Sequence, residues 1–134
     1  MSNGILIYAE ITRENYIHTV FFELVNKARE LSKKLDNAPI MAVIFTKPKL
    51  IEEFKEGFTN TGIDKVFVYE HEAFKNYSTI TYSKLISQLV DDIKPQIFLI
   101  GATNQGRDLA PRISSKLKTG LTADCIDLDI NEAG

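Results

Sequence analysis

Apolar residues in this chain alternate between two spacings: short unbroken runs, and longer stretches where they recur every three or four positions. Ile5-Leu6-Ile7-Tyr8-Ala9 is the first run, rich in β-branched residues, and reads as a strand covered on both faces. From Asn15 onward Tyr16, Ile17, Val20, Phe21, Leu24, Val25, Ala28, Leu31 and Leu35 draw one apolar stripe, which predicts a long helix. Met41 to Phe45 is a second buried strand, entered past Pro39 and left at Lys47-Pro48. Leu50, Ile51, Phe54 and Phe58 predict a shorter helix that closes around Thr59-Asn60-Thr61-Gly62. Lys65 to Tyr69 is a third strand, and a polar connection from Glu70 to Thr79 follows it.

Tyr82, Leu85, Ile86, Leu89, Val90 and Ile93 repeat the helical stripe, and Lys94-Pro95 ends it because a residue before proline is pushed out of the α region. Gln96 to Ile100 is the fourth strand. After the stretch Gly101 to Gly106, read as a loop, Leu109, Ala110, Ile113 and Leu117 mark a helix with Pro111 in its first turn and Gly120 as its C-terminal cap. Cys125 to Ile130 alternates strictly, as a fifth strand with one wet face does.

Strands and helices in alternation through five strands call for one α/β domain over residues 1–134, three layers deep and doubly wound, with a mostly parallel five-stranded sheet. Such sheets bind ligands at the carboxyl ends of their strands where the strand order reverses. With the order 3-2-1-4-5 the reversal lies between the first and fourth strands. The crevice there is lined by Glu10 to Asn15 on one side and by Gly101 to Arg107 on the other.

That placement directs attention to Gly101-Ala-Thr-Asn-Gln-Gly-Arg-Asp108. Its glycine spacing fits the start of a phosphate loop, but Arg107 and Asp108 stand where that loop carries Lys and then Ser or Thr. A helix N-terminus favours an anion, and Arg107 could add a bidentate contact, whereas a carboxylate at Asp108 repels phosphate. Asp108 instead complements the helix dipole and stands four residues before Arg112, the spacing of a surface or subunit-boundary pair. The candidate anion crevice or interface set is therefore Glu10, Gly101, Thr103, Asn104, Gly106, Arg107, Asp108 and Arg112.

Other chemistry is thin. Glu10 at a strand end is read as a solvated carboxylate before a general base, and His18 and His71 have no second ligand at metal spacing. Cys125 reads as a small apolar filler, and Ser114 and Ser115 carry no nucleophile motif. No catalytic set and no metal site emerge. With 16 basic against 18 acidic residues the net charge is −2, which disfavours nucleic-acid binding. A single cysteine excludes an internal disulfide and suits a reducing compartment, so the cytoplasm is expected. The N-terminus lacks a basic leader and no run is long enough to span a membrane, so a soluble protein is expected.

The blocks Gly106-Arg-Asp-Leu-Ala-Pro-Arg112 and Lys118-Thr-Gly-Leu-Thr-Ala-Asp-Cys125 closely resemble the N-terminal domain of the electron transfer flavoprotein alpha subunit. Ile5 to Glu10 and Gly62 to Glu70 look like the family too, nearer its prokaryotic type, so the likeness spans nearly the whole chain. Asn104-Gln105 depart from it, standing where small or aliphatic residues are more usual. The resemblance implies a nucleotide-binding-like fold of the adenine nucleotide alpha hydrolase kind. It implies a non-catalytic electron-carrier component that forms a heterodimer with a beta subunit and serves a flavin dehydrogenase such as an acyl-CoA dehydrogenase. FAD belongs, in the family, to a C-terminal domain expected beyond Gly134, so no cofactor is expected on this chain alone. Apolar surface exposed without that domain makes self-association as a homodimer an expectation. Two rivals stand beside this reading. One is a stand-alone nucleotide-binding module of universal-stress or pyrophosphatase-like type, with phosphate at Gly101 to Arg107; the other is an enzyme using Glu10 and Arg107.

Overall fold

The computed structural model describes residues 4–12, 14–48, 50, 52, 54, 55, 58 and 61–117. Strand β1 (Ile5–Tyr8) is followed by helix α1 (Val20–Lys34), strands β2 (Ile40–Thr46) and β3 (Lys65–Glu70), a 3-10 turn (Glu72–Lys75), helix α2 (Thr79–Ile93), strand β4 (Ile97–Leu99) and helix α3 (Asn104–Leu117). Helical residues also occur at Glu52, Phe54, Lys55 and Phe58, where the shorter helix is predicted. The sheet runs β3-β2-β1-β4, with every pair parallel. Ile5 sits opposite both Ile40 and Ile97, so β1 is a central strand and all four of its residues are buried. The expected fifth strand, Cys125 to Ile130, and the expected cap Gly120 lie outside the described residues.

Alternation along β1 sorts the core into two sides. Ile5 and Ile7 pack with Phe21, Leu24, Ala28, Phe54 and Phe58, whereas Leu6 and Tyr8 pack with Ile86, Leu89, Leu109 and Ile113. Because successive strand side chains point to opposite faces, α1 covers one face and α2 and α3 cover the other. This is the three-layer arrangement that the unbroken apolar runs predict.

Three local expectations need correction. Helix α1 starts at Val20, not near Asn15, because Asn15 has a left-handed φ of 66° and Ile17 pairs with Ile11 in an antiparallel bridge, a hairpin-like contact. Tyr16, read as part of the stripe, is 70% exposed, while Ile17 packs against the core from the hairpin. Helix α2 does stop at Lys94, but through a left-handed cap whose N–H bonds to the Val90 carbonyl, rather than by an extended residue before proline. Helix α3 begins at Asn104, inside the stretch read as a loop, so Pro111 lies mid-helix on its exposed side. There the hydrogen bond the proline forfeits faces water, which limits its cost.

Candidate binding crevice at the carboxyl end of the sheet

Glycine 106 lets α3 start where it does. A Cβ at Gly106 would sit 1.9 Å from the Gly101 carbonyl oxygen, and one at Gly101 would sit 2.6 Å from a Val20 methyl. Backbone thus meets backbone where β4 hands over to α3, and α1 closes on the same point. The outcome is a first helical turn pressed against the end of β4.

Thr103 caps that turn. Its hydroxyl accepts a hydrogen bond from the Gly106 N–H at 2.9 Å and donates one to Glu10 Oε1 at 2.6 Å. The position beside the helix N-terminus, where a bound phosphate would be favoured, therefore holds the protein's own carboxylate. Glu10 is 9% exposed, not solvated as a strand-end acid is expected to be, and its carbonyl also accepts the His18 N–H at 2.8 Å. His18 in turn accepts the Val20 N–H at Nδ1, 3.0 Å, which ties the hairpin to the start of α1.

Around this point lies a cavity of about 1040 Å³, at the reversal between β1 and β4. Its lining comes from Tyr8 and Glu10 at the end of β1, Thr46 and Lys47 at the end of β2, Asn76 and Tyr77 after the 3-10 turn, and Thr103, Asn104 and Gln105 at α3. Asp108 stands at its edge, where it accepts hydrogen bonds from Tyr77 at 2.9 Å and from Thr79. These two bonds, more than the field of Arg112, hold its carboxyl below the usual carboxylate range. No ion pair joins Asp108 to Arg112 among the described residues, although their spacing allows one.

Of the sequence candidates, then, Glu10, Thr103, Asn104 and Asp108 meet at the crevice. Gly101 and Gly106 are buried behind it as packing positions, and Arg107 and Arg112 are exposed and outside its lining. Sequence reasoning missed an aromatic wall. Phe45 stacks on Tyr82 at 4.2 Å and on Tyr69 at 5.0 Å, and Tyr77 meets Tyr82 edge-on at 5.0 Å. Burial pushes the Tyr82 and Tyr77 hydroxyls up to about 12 and the Tyr8 hydroxyl well above its usual range. Tyr8 donates to Gln105, which anchors α3 to β1. The available signal was the clustering of aromatics at the ends of β1 and β2 and in the connection to α2.

A family model described as the electron transfer flavoprotein domain matches residues 5–134. The chain belongs to this family. It is 40% identical over 128 residues to an electron transfer flavoprotein subunit alpha of Clostridium acetobutylicum, covering 96% of this chain and 37% of that protein. Similarity of 39% over 129 residues links it to the lactate dehydrogenase (NAD(+),ferredoxin) subunit LctC of Acetobacterium woodii, covering 96% of this chain and 30% of that one. It is also 39% identical over 119 residues to the acryloyl-CoA reductase electron transfer subunit beta of Anaerotignum propionicum, covering 89% of this chain and 32% of the relative. The chain thus spans about a third of the length of these curated relatives. An electron transfer flavoprotein domain invites the question whether these residues fit FAD. They do not fit its pyrophosphate: the Gly106 N–H is already bonded to Thr103, and the Glu10 carboxylate stands beside the helix N-terminus. Among the described residues no helix is long and apolar enough to cross a membrane, and no cluster of His, Cys, Asp or Glu could hold a metal ion.

Proposed function

We propose that this chain is the alpha-subunit platform of a flavin-dependent electron-transfer complex, a non-catalytic α/β domain that docks on a beta subunit. The observation that carries the proposal is the match to alpha subunits over 96% of the chain. The crevice supports it, because at the helix end where a nucleotide phosphate would be favoured Thr103 caps the Gly106 N–H and holds the Glu10 carboxylate beside it. Electron transfer then depends on FAD held elsewhere in the assembled protein, and this domain contributes a rigid surface. Names of the relatives point to dehydrogenases and reductases as the enzymes served, with a lactate dehydrogenase and an acryloyl-CoA reductase among them. The test is co-purification of the chain with a tagged beta subunit from the same organism. Association at micromolar concentration is the expected result, and a beta subunit that passes through unbound at that concentration would defeat the proposal.

A further inference from the structure

The crevice has a volume suited to a small molecule, and its polar lining says which kind. Glu10 is buried yet spends only Oε1 on Thr103 among the described residues. A carboxylate has about four lone-pair sites, and the only buried side-chain polar atom without a partner among the described residues is the Ser87 hydroxyl. The second oxygen of Glu10 therefore opens on the cavity, where it can accept hydrogen bonds. Charge in the lining is mixed: Glu10 and Asp108 oppose an anion, and Lys47 opposes a cation. Ile11 and Leu50 supply apolar wall, and the half-buried Tyr77 ring shares the lining with Phe45, Phe74 and Tyr82.

From these features we infer that the crevice is a site for a neutral nucleoside, a flat heterocycle bearing a neighbouring pair of hydroxyls, and that it discriminates against the phosphorylated forms. The Glu10 carboxylate takes the hydroxyl pair, as an acidic residue near the switch point of such sheets can. The same carboxylate, fixed by Thr103 at the start of α3, repels a phosphate there. This is the opposite ranking from a phosphate-gripping loop, and it is independent of docking on a beta subunit because the chain alone is titrated.

Calorimetric titration of the chain with adenosine, AMP and ATP tests it. Adenosine binds saturably, with a Kd of about 0.1 mM for a ligand of this size, and AMP binds about fivefold more weakly, by like-charge repulsion. Glu10→Gln weakens adenosine by about tenfold, the loss of a hydrogen bond to a charged group, and narrows the gap between adenosine and AMP. Amide chemical shifts of the wild-type chain supply a readout that does not depend on the variant folding, with adenosine moving Glu10, Ile11, Thr46 and Asn104. AMP or ATP binding more tightly than adenosine, no saturable adenosine binding up to about 10 mM, or shifts confined to residues away from the crevice would each overturn the inference.

Discussion

Thr103 serves two partners with one hydroxyl, donating to Glu10 while accepting from the Gly106 N–H, and so ties the end of β1 to the start of α3. Thr103→Val keeps the shape and removes both bonds. It leaves a nearly buried carboxylate short of its donor and a helix N-terminus uncapped, so urea melts are expected to show a loss of about 2 kcal/mol, with Thr103→Ser close to wild type. A stability unchanged in the valine variant would show that neither bond matters. The tyrosines set a second expectation at this scale. Folding raises the Tyr77 and Tyr82 hydroxyls from 10.0 to about 12, chiefly by burial. The unfolded chain therefore releases these protons first, and their contribution to stability is full below about pH 10 and falls as pH rises toward 12. Spectroscopic titration of phenolate should lag in the folded chain behind the chain in denaturant, and coincident curves would refute it. Asp108 acts at the other end of the scale. Its depressed carboxyl favours the folded state above the ordinary carboxylate range and ceases to do so as pH falls through its lowered value.

At the level of elements, the packing of α3 on the strand ends hinges on Gly106. A methyl placed 1.9 Å from the Gly101 carbonyl cannot be accommodated by a rotamer change, since the obstacle is backbone. Gly106→Ala is expected to destabilise by about 3 kcal/mol through overpacking despite alanine's better helix propensity, a sign opposite to that at an ordinary helical glycine; a stabilised variant in thermal melts would contradict this account. The sequence shows why such a contact is hard to foresee. Apolar runs placed all four strands within a residue or so; β1, β2 and β4 are buried along their whole length and carry no polar alternation to blur them, whereas β3, at the sheet edge and partly exposed, was marked by its β-branched and aromatic residues. Residues 101–106 look like a loop because Gly, Thr and Asn are turn formers, yet a threonine cap and a glycine that permits close approach start the helix there. Tyr16 and Ile17 fall on the helical repeat by coincidence, and only Asn15's left-handed backbone reveals the hairpin. Glu10 and Asp108 were visible as candidates from the order of strands. The partners of Asp108, Tyr77 and Thr79, and the Tyr8–Gln105 bond were not, because contacts across about 30 to 100 residues leave no local pattern.

For the whole molecule the question is where the flavin of an electron transfer flavoprotein is held. The described domain has a parallel sheet, two filled faces and a crevice whose helix end is already occupied by Glu10. At that helix end the Gly106 N–H is already spent on Thr103, and two carboxylates, Glu10 and Asp108, stand in the lining that the pyrophosphate of FAD would approach. Adding FAD to the purified chain should therefore leave flavin fluorescence and absorbance as they are in buffer. Removing the carboxylate with Glu10→Gln does not by itself create a flavin site, because the Thr103 cap still occupies the Gly106 N–H. The double variant Glu10→Gln, Thr103→Ala frees both the N–H and the charge, and any gain in affinity for AMP should appear first there. Stoichiometric yellow colour retained by the wild-type chain through gel filtration would show that these residues alone hold the cofactor, and the platform role would fall with it.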